Sequence, residues 1–106
     1  KFQAIQHKLA EMATQLELAR LITYKAAWFA DHKKPDSKLS AMAKYYAGKV
    51  ASEVASESMQ LFGGYGYITE FEVERFYRDA RITEIYEGTR EIQKNIIAGQ
   101  VLGKLR

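Results

Sequence analysis

Apolar residues fall at Ile5, Leu9, Met12, Leu16 and Ala19, in alternating steps of four and three, within a stretch from Phe2 to about His32 that holds neither proline nor glycine. That period is one stripe of an α-helix. At a rise of ~1.5 Å per residue the helix runs to about 45 Å, a length that suits an element of a bundle better than a lone surface helix. Trp28 and Phe29 near its end read as core or interface aromatics, since no basic cluster flanks them as a base-stacking platform would require. Pro35, the only proline, breaks the pattern and is followed by Asp36 and Ser37, residues suited to start a helix. A second helix is expected from about Lys38 to Phe62, with Leu39, Met42, Ala43, Tyr46, Val50, Val54 and Leu61 on or near one face. Small residues are dense along it, among them Ala41, Ala47, Gly48, Ala51 and Ala55, and they let neighbouring helices approach closely. Tyr45 and Tyr46 read as packing residues.

Gly63, Gly64 and Gly66 end that helix. Three glycines in four positions suggest a phosphate cradle, but no strand precedes them and no Gly-Lys-Ser or Gly-Lys-Thr follows, so they read as a helix C-cap and turn. Thr69 with Glu72 spells a capping box for a short helix through about Asp79. Arg75, Arg78, Asp79 and Arg81 form a charged cluster there, the mark of a solvated face or an ion-pair network. A last helix is expected from Thr89 to about Lys104, burying Ile92 and Ile96 and, further on, Val101 and Leu105. No period-two pattern, internal repeat or low-complexity segment occurs. The expected fold is all-α, an antiparallel four-helix bundle with one short helix or crossover, in a single domain over residues 1–106.

Composition narrows the function classes. The chain has 106 residues, 47% hydrophobic and 27% charged, an ordinary globular balance. Sixteen Lys and Arg against 13 Asp and Glu give a net charge of +3, but the basic residues are interspersed with acidic ones, so the pI of about 9.1 argues little for nucleic acid or an anionic membrane. There is no cysteine, which removes disulfides, thiolate metal sites and thiol catalysis. His7 and His32 stand 25 positions apart with no metal-ligand spacing around either. No serine has the setting of a nucleophile. No apolar run is long enough to span a bilayer, and neither a signal-peptide pattern nor an initiator Met opens the chain, which reads as a piece of a longer protein.

What chemistry remains lies between Arg78 and Gln93, in R-D-A-R-I-T-E-I-Y-E-G-T-R-E-I-Q. Glu87 stands between the apolar pair Ile85 and Tyr86 and a Gly-Thr pair. Gly88 permits a close approach or a positive φ, and Thr89 can cap the helix that follows, so Glu87 is expected at the end of a loop just outside a helix. Desolvated by its apolar flanks, such a carboxylate would be a stronger base than a surface one. Spacing alone leaves open the commoner role of a solvated loop residue favouring a helix N-terminus.

The run from Gln60 to Gln93, with Q-L-F-G-G-Y-G-Y, then V-E-R-F-Y-R-D-A-R, then I-T-E-I-Y-E-G-T-x-E-I-Q, resembles the C-terminal part of flavin-dependent acyl-CoA dehydrogenases. The resemblance extends back through E-L-A-R-L and L-A-E-M-A to Phe2 and Gln3, over essentially the whole chain. It implies the C-terminal helical domain of such an enzyme, of the short- or medium-chain type. It implies that Glu87 removes the α-proton of an acyl-CoA thioester while the β-hydrogen leaves as hydride to the flavin, giving a trans-2-enoyl-CoA. It places Tyr86 and Gly88 at the substrate, Thr89, Arg90 and Glu91 in a flavin-contacting stretch, and Gln60, Leu61, Phe62, Gly63 and Gly64, with Phe2 and Gln3, at the FAD adenosine end, usually reached from a neighbouring subunit. Arg90 and Glu72 depart from the pattern, which has a small residue and a proline there. An arginine that the family places shortly before the F-Q pair has no counterpart.

The resemblance further implies FAD as cofactor, electron-transfer flavoprotein as electron acceptor, a homotetramer built as a dimer of dimers, and the bacterial cytoplasm or mitochondrial matrix rather than secretion. Nucleic acid, membrane and metal are not expected partners. The family's N-terminal helical and middle β-domains supply most of the flavin and CoA surface, so the chain alone is expected to be inactive. Two other readings remain: a non-catalytic helical module for oligomerisation or interaction, and a small basic nucleic-acid binder.

Overall fold

In the computed structural model, which describes residues 2–103, the regular elements are helical throughout. Helix α1 spans Gln3–Asp31, α2 Ser37–Phe62, α3 the single turn Gly64–Tyr67, α4 Val73–Ile82 and α5 Arg90–Leu102, with a 3-10 turn at Thr69–Phe71. The all-helical expectation holds. Asp36 caps α2, its carboxylate accepting the Leu39 N–H at 3.0 Å, and Gly63 ends the helix at φ +63°. The capping box expected at Thr69 does not form: Glu72 adopts a left-handed φ of +60°, no side chain caps α4, and that helix begins only at Val73. A proline, fixed near −65°, could not take the backbone that Glu72 has here.

Helix α2 is the axis of the molecule, since α1, α3, α4 and α5 all pack on it while α1 makes no close backbone contact with α4 or α5. Cross-contacts give the directions. Lys8 pairs with Glu57 at 2.7 Å and Gln15 reaches Glu53 at 3.5 Å, so numbers rise on α1 as they fall on α2. Ser52 donates to the Ala80 carbonyl at 3.4 Å, and Gln100 donates to Ser37 at 3.2 Å with the Lys94 ammonium 5.0 Å above the Tyr45 ring. Helices α4 and α5 thus run end to end, both antiparallel to α2, α4 beside its second half and α5 beside its first. The segment 83–89 interrupts that track halfway along α2.

Small residues make the closest approaches, as their density implies. Ala41, Ala43, Gly48 and Ala55 are buried with Leu39, and Val50, at 1% exposure, is the innermost side chain. The outer stripes are less covered than their periodicity suggests. On α1 only Ala19 is buried, while Ile5, Leu9 and Leu16 stay exposed; on α5 Ile92, Ile96 and Val101 are exposed too, contrary to expectation. Among the described residues each of these helices has α2 as its one long neighbour, so one flank of each stripe is left uncovered. Lys104 and Leu105, expected at the end of the last helix, lie outside the described residues.

Candidate functional site

The interruption between α4 and α5 is built by hydrogen bonds that turn the chain sharply. Helix α4 unwinds through Thr83, Glu84, Ile85 and Tyr86, whose N–H groups donate back to the carbonyls of Ala80, Arg81 and, for the last two, Ile82. Glu87 then takes φ +55° and Gly88 φ +97°, two left-handed residues in succession. Thr89 returns to extended backbone and caps α5, its Oγ1 accepting from the Ile92 N–H at 3.3 Å. Glycine, capping Thr and the placement of Glu87 at the loop end before a helix all fall as the sequence implies. The positive φ of Glu87 itself does not follow from the sequence, and for a residue with a Cβ it stores about 1 kcal/mol or more.

Side chains from α2, α4, α5 and the loop itself hold this segment. Lys44 of α2 donates through Nζ to the Thr83 carbonyl and, at 3.3 Å, to the Gly88 carbonyl. Gln93, 8% exposed, donates to the same Gly88 oxygen at 3.4 Å. Glu84, 7% exposed, accepts the Arg90 N–H on its main-chain oxygen at 3.2 Å, while its carboxylate lies 3.1 Å from Arg90 Nη1 and 3.7 Å from Arg81 Nη1. A buried carboxylate needs such pairing. Gly48 marks the crossing with α2, where an added Cβ would meet the Thr83 oxygen at 3.3 Å. Lys44, Glu84, Gln93 and Gly48 were not legible as loop supports; the one hint was a lysine set among the small residues of α2. The rest of the arginine cluster is a solvated face, with Arg75 on Glu72 at 3.5 Å and Arg78 on Glu74 at 3.2 Å.

Glu87 is exposed, and so are its neighbours Ile85 and Tyr86. The expected desolvation by apolar flanks is therefore not supplied within this chain, because those flanks themselves face outward. Glu87 borders an open groove with Ser40, Ala41, Lys44, Gln93 and Ile96. Among the described residues no acceptor takes up the N–H groups of Glu87, Gly88 or Thr89, so three successive donors remain for solvent or a ligand.

The residues named as flavin contacts fall in two places. Phe2 and Gln3 open α1 and Gln60, Leu61 and Phe62 close α2, which the antiparallel register brings to one end of the molecule with Gly63 and Gly64. The backbone there is bare: a Cβ on Gly63 or Gly64 would meet no atom within 4 Å. Thr89, Arg90 and Glu91 stand beside the Lys44 level of α2, about 24 Å away along that helix at ~1.5 Å per residue. The amides of Arg90 and Ile92 already have acceptors in the chain, so less of the α5 N-terminus is free than a helix end usually offers. Both surfaces fit partial contact with a flavin dinucleotide, through bare glycine backbone at one and unengaged amides at the other; neither encloses it. Among the described residues there is no cluster that could hold a metal and no helix long and apolar enough to cross a membrane.

A family model described as the acyl-CoA dehydrogenase C-terminal domain matches residues 1–102. The mitochondrial short-chain specific acyl-CoA dehydrogenase of Rattus norvegicus is 56% identical over 106 residues, which is 100% of this chain and 26% of that protein. A subunit of the caffeyl-CoA reductase–Etf complex of Acetobacterium woodii is 48% identical over 97% of the chain and 27% of its own length. The solved butyryl-CoA dehydrogenase of Megasphaera elsdenii superposes with a TM-score of 0.94 at 49% identity, covering 96% of this chain and 27% of that one. The chain thus spans about a quarter of the length of the curated relatives it matches.

Proposed function

The chain belongs to the acyl-CoA dehydrogenase family as its C-terminal helical domain, and on that premise we propose that it serves a larger oxidoreductase by holding Glu87 as the base that begins α,β-dehydrogenation of an acyl-CoA thioester. The observation that carries this is the backbone at the loop: Glu87 is kept at φ +55° beside Gly88 at +97°, with three N–H groups that no acceptor among the described residues takes up. Strained non-glycine residues that the surroundings pin in place gather where geometry is used. Lys33 and Glu72 also have positive φ, but Lys33 follows the C-cap of α1 and Glu72 ends the 3-10 turn, positions where a left-handed residue commonly closes a helical segment.

In the proposed reaction the Glu87 carboxylate takes the α-proton, the electron pair of that C–H bond becomes the Cα–Cβ double bond, and the β-hydrogen departs with its own pair. Members of the family are FAD-dependent, and FAD when bound supplies the acceptor for that hydride. The N–H of Glu87 donates to the thioester carbonyl, where enolate charge develops, and Gly88 lets the substrate pass close to the backbone. Tyr86 lines the acyl side. Thr89, Arg90 and Glu91 would hold the flavin in one chain, and Phe2, Gln3 and Gln60 to Gly64 would hold the adenosine end for a neighbouring chain of a homotetramer. That division accounts for the separation of the two surfaces. The desolvation that Glu87 lacks here comes from the rest of the enzyme and from the bound thioester. Electron-transfer flavoprotein is the proposed acceptor of the reducing equivalents, a bacterial cytoplasm or mitochondrial matrix the proposed compartment, and the chain alone is inactive.

The test is Glu87→Gln in the flavoenzyme that carries this chain. FAD content and acyl-CoA affinity persist, while flavin reduction by substrate, followed by stopped-flow absorbance, slows by roughly 10²–10⁴ or more, the loss of a general base. Near-normal reduction in the variant would remove Glu87 from the chemistry. The extent of exposed apolar surface also suits a second reading, a non-catalytic assembly module. A carrying protein that is colourless and takes up no added FAD would favour that one.

A further inference from the structure

We propose that Lys44 is a positioning residue for the base, its ammonium clamping the chain on both sides of Glu87 so that the carboxylate is aimed. The proposal rests on the reading of Glu87 given above. An ammonium has three donors. Here one goes to the Thr83 carbonyl and one, at 3.3 Å, to the Gly88 carbonyl, and Nζ lies 5.9 Å from the centroid of the Tyr86 ring, within cation–π range. The two residues that flank Glu87, Tyr86 and Gly88, are thus both held by one cation reaching across from α2.

The geometry demands such a clamp. Both carbonyl oxygens lie within reach of a single nitrogen, and so within about 6 Å of each other, whereas five residues of extended chain span about 17 Å. The segment is folded back around the cation. Among the described residues no carboxylate lies within 4 Å of Nζ, so Lys44 is given over to backbone carbonyls, which fixes a shape and leaves its charge unneutralised. The other restraints act at the edges of the loop: Gln93 shares the Gly88 oxygen and Arg90 closes on Glu84. Neither reaches Thr83 or Tyr86. Among the described residues Lys44 makes the only hydrogen bonds from α2 to this segment, Gly48 adding close packing at Thr83 alone, so without Lys44 the left-handed backbone at Glu87 relaxes away from the strained conformer.

The experiment compares Lys44→Met, Lys44→Arg and Glu87→Gln in the full-length flavin-loaded enzyme. In Lys44→Met the FAD content and acyl-CoA affinity are kept, but flavin reduction slows on the order of 10²-fold, the effect of a misplaced catalytic group. Hydrogen exchange rises in the peptide over residues 83–90 and nowhere else. Lys44→Arg, which keeps the cation and can offer separate N–H groups to the two carbonyls, recovers most of the rate. Wild-type reduction in Lys44→Met beside an inactive Glu87→Gln overturns the proposal and leaves the base in place. Normal reduction in Glu87→Gln overturns the base, and this proposal with it. Loss of flavin, exchange raised along the whole chain, or no recovery in Lys44→Arg assigns Lys44 to folding, and overturns the proposal as well.

Discussion

At Gly88 two independent restraints coincide: the backbone is left-handed at φ +97°, and a Cβ would lie 2.5 Å from Gln93 Nε2, the group that holds the Gly88 oxygen. Gly88→Ala is therefore expected to cost about 1–3 kcal/mol in denaturant unfolding, combining backbone strain with a displaced amide. Gly99 gives the contrast. It lies in α5 with nothing within 4 Å of an added Cβ, so Gly99→Ala should stabilise by about 0.5–1 kcal/mol. If the two substitutions changed stability alike, the conformation described for the loop would be wrong. Residue-scale legibility follows the same line. Gly88 and Thr89 could be read because a glycine and a capping hydroxyl act on their own neighbours in sequence. Lys44 could not, because it acts on carbonyls some forty positions away, and nothing in a helical period marks which lysine on a packed helix has found a backbone to hold.

Elements were legible where the signal is local and carried by one residue type. Asp36 after Pro35 starts α2 as expected, and Asp36→Ala should cost about 1 kcal/mol by removing the acceptor of the Leu39 N–H, seen as a fall in the urea midpoint at constant slope. The Thr69 and Glu72 pair shows the opposite case. Its spacing fits a cap, but the chain must first pass the glycine turn, where Gly66 lies so close to Met59 that an added Cβ would stand 2.6 Å from the Met59 oxygen. That contact pins α3 to the end of α2, and the chain reaches α4 through a left-handed Glu72 rather than a capped start. Periodicity likewise fixed the apolar faces of α1 and α5 without saying what covers them. An amphipathic stripe records that something packs there; for Leu9, Leu16, Ile92 and Ile96 only part of that something is α2.

The molecule as a whole carries the same signature. Its accessible surface is 8056 Å², against about 6,000 Å² for a compact monomer of this mass, and its radius of gyration is 16.5 Å against about 13 Å. Large apolar side chains are prominent on that surface. Phe62, Tyr65, Tyr67, Phe71, Phe76, Tyr77, Ile85 and Tyr86, from the end of α2 to the loop, are all exposed, as are Leu18, Leu21, Tyr24 and Trp28 of α1, the first two along an open apolar groove against α2. Contiguous exposed apolar patches beyond a few hundred Å² drive association. The helix pair α1 and α2, joined across Pro35, can also exchange partners between copies as hinge-linked elements do. The 106-residue chain in solution is therefore expected to be helical and self-associating, as a dimer or tetramer. It should bind FAD weakly or not at all, since the bare glycine end and the Glu87 loop stand too far apart within one copy to form a single bed. Sedimentation across a concentration series with FAD titrated in parallel decides the matter. A strictly monomeric species would show that this surface is stable in water without a partner, and tight stoichiometric FAD uptake would show that one copy suffices to build the site.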